Sequence, residues 1–148
     1  MPAEIDIIVS SPDSTEARLI VEAKLALRDF TSAEAQLKSY MLQLSCPIAL
    51  IVTPEKMWVY ADQYLSAKPD SIAKIGEFEI SDLLRFQGTD SSPTTAKHFE
   101  AAVQRWLETL PSTATRDRVK DKNLWRVLNK YVLPAIETGE VRAAAPRH

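Results

Sequence analysis

Residues 18–25 read Arg18-Leu19-Ile20-Val21-Glu22-Ala23-Lys24-Leu25. Leu19 to Val21 form an apolar, largely β-branched run, as a strand wants. Side chains alternate between the faces of a strand, so Glu22 and Lys24 point one way while Val21, Ala23 and Leu25 point the other. A carboxylate and an ammonium on a mostly apolar strand are costly to bury unless something pairs with them or uses them.

Upstream, Glu4 to Ser10 alternates and ends in the turn residues Ser11, Pro12 and Asp13, which predicts a strand with Glu4, Asp6 and Ile8 on one face. The short connection predicts an antiparallel hairpin with 18–25. Downstream, Leu37, Tyr40, Met41 and Leu44 recur at helical spacing, with Thr31 or Ser32 as the expected N-cap and Cys46-Pro47 as the stop. Residues 47–53 are almost continuously apolar, which predicts a central strand reached by a crossover. A turn at Pro54 to Lys56 then leads into a paired strand at 57–61.

Beyond this, an edge strand is expected within 71–80 and a short helix over 81–86 capped by Ser81. Residues 87–95 read as a linker. Two amphipathic helices follow, over 95–110 and 122–136, the second kinked by Pro134. From Gly139 onward a frayed tail is expected. The expected organisation is an α/β core over 1–90 with a helical C-terminal extension over 91–148.

The 148 residues, 45% of them hydrophobic, suffice for a core of this kind. Only 3 glycines are present, and neither a dinucleotide fingerprint nor a Walker loop can be written with them. Cys46 is the sole cysteine, so no intrachain disulfide or cysteine metal cluster forms, and a buried thiol is expected. The start of the sequence lacks the basic stretch of a secretory signal, and no apolar run reaches the roughly 20 residues of a membrane span. A cytoplasmic protein is the expectation.

The net charge of −2 argues against nucleic-acid binding by bulk charge. The most basic stretch holds Arg116, Arg118, Lys120, Lys122, Arg126 and Lys130, with Trp125 among them. Positions 118, 122 and 126 would align on a helix and could meet phosphates, whereas the interleaved Asp117 and Asp121 favour an ordinary solvated helix start. His98 reads as a surface residue, and Trp106 and Trp125 as helix packing.

Asp6, then Glu22-Ala23-Lys24, then Gln36 and Tyr40 one helical turn apart, followed by an apolar strand pair from Ala49 to Tyr60, resemble the PD-(D/E)XK nuclease superfamily. Within it, the pattern is similar to the N-terminal nuclease domains of type I restriction enzyme R subunits and to RecB-like nucleases. The resemblance covers residues 4 to 62. It implies a restriction-endonuclease-like mixed β-sheet flanked by helices, and a metal-dependent nuclease acting on DNA in restriction or repair. Asp6, Glu22 and the backbone carbonyl of Ala23 would hold Mg²⁺ or Mn²⁺. Lys24 would serve the attacking water or the phosphate, Gln36 and Tyr40 would face the site, and Glu4 could add an acid. Ile5 stands where the family often has Pro, and the family's opening helix and strand, which precede this point, have no counterpart before Asp6. An unpaired edge would then favour a homodimer or a partner chain. The alternative is a nuclease-like fold that no longer cuts and acts as a binding or assembly module.

Overall fold

The computed structural model describes residues 5–13, 15–66, 68–81, 83 and 95–143. At its centre β2 (Ala17–Ala23) and β3 (Ile48–Val52) run parallel, with Ile20 beside Ala49 and Ala23 beside Val52. Parallel neighbours need a crossover, and α1 (Phe30–Leu44) provides it. The expected strand at 18–25 thus ends at Ala23, and Lys24 follows it, still bonded to β3 through its backbone N–H to the Val52 carbonyl at 2.9 Å.

β1 (Ile7–Ser10) pairs antiparallel with β2, as the short connection requires. β4 (Lys56–Asp62) pairs antiparallel with β3 through a tight turn, and β5 (Ile72–Glu79) with β4 as an edge strand. The register of the last pair slips between Val59 and Tyr60. Beside the slip, the Phe78 ring lies over Gly76, where a Cβ would meet it at 2.6 Å.

α1 differs from expectation at its start. Asp29, not Thr31 or Ser32, is the N-cap: its carboxylate accepts the Ser32 N–H at 3.0 Å, and this bond holds its pKa below the usual range. Phe30 thereby joins the helix and stacks, tilted, on Trp58 with ring centroids 4.8 Å apart.

The helices lie on both faces of the sheet. Ala33, Leu37 and Met41 of α1 bury against Ile20, Ala49, Ile51 and Tyr60. The opposite face, with Ile7, Val9, Leu19, Val21, Leu50 and Val59, is covered by the C-terminal helices. α2 (Ala96–Thr109) is capped by Thr95 and buries Phe99, Val103, Trp106 and Leu107. A short α3 (Thr113–Arg116) follows. The helix expected over 122–136 is broken into α4 (Lys122–Val127), a π turn over Leu128–Val132 and α5 (Leu133–Glu137). Pro134 has no N–H to donate, and the wider turn just before it adjusts the ladder to that loss. The expected alignment of 118, 122 and 126 fails because Arg118 precedes α4.

The C-terminal segment is not frayed over its described part. Residues Glu140–Ala143 form β6, antiparallel to β1 with Val9 beside Val141. The sheet order is β5-β4-β3-β2-β1-β6, so the edge expected to stand open beside β1 is covered by the chain itself. The expected helix over 81–86 and the linker over 87–95 fall almost wholly outside the described residues.

Gly139 makes this return possible. A Cβ there would lie 2.8 Å from the Ser10 carbonyl oxygen, 2.9 Å from that of Ala135 and 2.9 Å from Val9 Cγ1. Backbone oxygens cannot step aside as a flexible side chain can. Gly139→Ala should therefore lower stability by about 1–3 kcal/mol, read from urea denaturation. Gly76→Ala, which meets a ring able to rotate, should cost less. An equal or smaller loss at Gly139 would show that β6 is not closely seated on β1.

Candidate active site at the carboxyl end of the central strands

β1 runs antiparallel to β2, so the residue before β1 and the residue after β2 meet at one end of the sheet. Asp6 and Lys24 are those residues. The Asp6 Oδ2 accepts the Ala23 N–H at 2.8 Å and the Lys24 ammonium at 3.2 Å. Asp6 also donates its own backbone N–H to the Val21 carbonyl at 3.0 Å, which fixes the carboxylate against β2.

Alternation places the remaining group. Ile8 and Ile20 belong to the α1 face, so Asp6, Glu22 and Lys24, each an even step away, face α1 as well. Glu22 sits beside Ile51 of β3 and is 3% exposed; Asp6 is 4% exposed. The Lys24 side chain is one-third exposed and bridges this buried pair to the surface.

Two buried carboxylates thus share one ammonium. The Glu22 pKa is raised by loss of water, against the pull of Lys24, with a smaller push from the Asp6 charge. Among the described residues no group of three or more His, Cys, Asp and Glu is placed to hold a metal ion. An ion at this end would therefore rest on Asp6, Glu22, a backbone carbonyl such as that of Ala23, and water.

Gln36 and Tyr40 are both half-buried on α1, and Tyr40 packs against the cluster beneath the helix. Their side follows from the opposite flank of the same helix. Tyr60 of β4 donates to Glu34 Oε2 at 2.6 Å, and Lys74 of β5 lies 3.8 Å from the same oxygen. Glu34 therefore faces β4 and β5. At about 3.6 residues per turn, Gln36 and Tyr40 fall on the other flank, toward β2 and β1. Glu4 lies outside the described residues. Cys46 is buried and its thiol is pushed up to about 12, mainly by burial, which removes it as a nucleophile.

The Tyr60–Glu34 bond was not singled out in the sequence. Burial first, then this bond, raises the Tyr60 pKa, so the phenol stays a donor. With Lys74 and the Phe30–Trp58 stack it sets the rotation of α1 over the sheet, and so the placement of Gln36 and Tyr40. Glu34 was legible only as an acid early in a helix. Its partner lies 26 residues away on a non-adjacent strand.

The raised Glu22 pKa has a definite pH signature. Between the ordinary value of 4.5 and the higher folded value, the folded chain keeps a proton that the unfolded chain releases. Stability contributed by neutral Glu22 is present below 4.5 and lost as pH rises through the folded pKa. Glu22→Gln removes this loss. In metal-free buffer with chelator, the urea midpoint of the variant relative to the parent should climb from pH 4 to pH 7. A constant difference across that range would contradict the burial and crowding of Glu22.

Scans of the sequence against protein-family models, against curated proteins and of the structure against solved structures found no match.

Proposed function

We propose that this chain is a metal-dependent nuclease domain of the PD-(D/E)XK type that hydrolyses phosphodiester bonds of DNA. One observation carries the reading: Asp6, Glu22 and Lys24 lie together at the carboxyl end of β2, one of a parallel strand pair. Ligands in open α/β sheets favour that end of the strands.

The donor set suits a hard divalent cation. Asp6, Glu22 and the Ala23 carbonyl offer only oxygen, as Mg²⁺ or Mn²⁺ prefers. Burial raises the Glu22 pKa, and a bound cation would offset that loss of water by favouring the charged carboxylate. When bound, such an ion supplies polarisation of the phosphoryl oxygen and a more acidic water. The chain's own residues do the rest. Lys24, half in water and half against Asp6, neutralises charge developing on the phosphate or orients the attacking water. Gln36 offers an amide to that water or to the DNA backbone. Buried Asp6 holds Lys24 in place while the substrate is absent.

A second reading, a nuclease-like fold retained as a binding or assembly module, draws on a different observation. Lys24 is already bonded to Asp6, and only two carboxylates are in play among the described residues.

Purified protein incubated with plasmid, single-stranded DNA and RNA in Mg²⁺ or Mn²⁺ separates the two. Cleavage of DNA should be abolished by chelator. Lys24→Ala should lower the rate by about 10²–10³-fold, with Glu22→Gln at least as damaging. Equal cleavage by parent and Lys24→Ala would mean a contaminating nuclease. Absence of cleavage by a folded parent protein favours the binding module.

A further inference from the structure

The helices on the far side of the sheet from Asp6 and Glu22 carry a second feature. Residues 115–130 hold six Lys or Arg against two Asp in a chain whose net charge is −2. This stretch is therefore locally basic, with six of the chain's 18 Lys and Arg. Part of it lines a cleft of about 540 Å³ formed by Arg116, Asp117, Val119, Lys120, Lys122 and Trp125.

The cleft has a definite chemistry. Trp125 is half-buried and packs one side against the core. The Arg116 guanidinium lies 5.9 Å from its ring centroid and is itself held by Glu137 at 3.7 Å. The aromatic wall is thus fixed in orientation by a planar cation with its own anchor. Val119 adds an apolar contact, while Lys120 and Lys122 stand exposed at the cleft. An aromatic ring with a guanidinium over it, flanked by exposed ammonium groups, is how sequence-tolerant sites hold an unstacked base and its neighbouring phosphates.

We propose that this cleft binds single-stranded nucleic acid, with a base against Trp125 and backbone phosphates paired to Lys120 and Lys122. A duplex keeps its bases stacked and leaves the aromatic wall unused, which is why the single strand is the favoured occupant. The site lies in the helical layer covering the Val21 face of the sheet. It is separate from the carboxylate pair and holds whether or not the chain cleaves DNA.

The test is fluorescence anisotropy in chelator, which excludes cleavage, using a labelled 12-nucleotide oligo(dT), a labelled hairpin duplex, and thymidine monophosphate as competitor. Saturable binding of oligo(dT) is expected, tighter than to the duplex, with the mononucleotide a poor competitor. Lys120→Glu with Lys122→Glu should weaken binding at least ten-fold. Neutral Lys120→Gln with Lys122→Gln should flatten the dependence of log Kd on log salt by about 1.4, as expected when two phosphates of a single strand go unpaired. Trp125→Leu, which keeps apolar bulk, should weaken binding about ten-fold and abolish most tryptophan quenching by oligo(dT). Lys68→Glu, an exposed charge reversal beyond β4, is the control. Circular dichroism checks that each variant is folded, and the exposed lysine pair carries the test if Trp125→Leu is not. No saturable binding, unchanged binding by the folded lysine variants, or equal affinity for duplex or mononucleotide would each overturn the proposal.

Discussion

The parallel pairing of β2 with β3 is the constraint on which the rest depends. Two parallel strands cannot be joined by a turn, so the chain must climb back across the sheet through α1. That crossover buries Ile20, Ala49 and Ile51 under Leu37 and Met41. It also sends the chain out of β2 at Ala23 and leaves Lys24 at the rim. β1, being antiparallel to β2, enters at the same rim with Asp6. The meeting of Asp6 and Lys24 at 3.2 Å follows from strand directions alone. Glu22, one alternation inside, is then trapped between Ile51 and the helix.

Charge arithmetic gives this rim its chemical character. A buried carboxylate is costly unless it is paired, and Asp6 and Glu22 both lie near the Lys24 ammonium. Burial leaves Glu22 with a raised pKa, against the pull of Lys24. A protein selected for stability alone would place Gln or an apolar residue there, as at the equivalent interior positions Ile20, Ala49 and Ile51. Retaining an acid at 3% exposure is the feature that a core requirement does not explain.

The sheet and this rim were legible in the sequence because their signals are local. The hairpin of β1 and β2 follows from a short turn between two alternating runs, and its register places Asp6 across from Glu22. β3 announces itself as an unbroken apolar run because both its faces are covered. What escaped depended on partners distant in sequence. Four residues, Glu140–Ala143, carry no periodicity worth the name, and they become a strand only because Val9 and its neighbours offer an edge. Asp29 outcompeted Thr31 and Ser32 as a cap because capping two residues earlier brings Phe30 onto Trp58, a strand-borne ring that no helix pattern reveals. The π turn before Pro134 reflects a missing donor, and sequence pointed to that proline without specifying how the helix would absorb it.

The pairing of β6 with β1 also ties the C-terminal helices to the sheet. Gly139 sits where α5 ends and β6 begins, against the carbonyl of Ser10 at the end of β1. The helices of the C-terminal half are thus tied through β6 to the strand whose opposite end carries Asp6. Their inner face is spent on Leu19, Val21 and Leu50, and their outer face is where the basic cleft opens. The chain consequently separates two kinds of electrostatics. Two carboxylates, Asp6 and Glu22, are buried under α1, where loss of water raises the proton affinity of Glu22. Positive charge is exposed and spread along α3 and α4, where water and salt screen it. A polyanion is repelled by the first and attracted by the second.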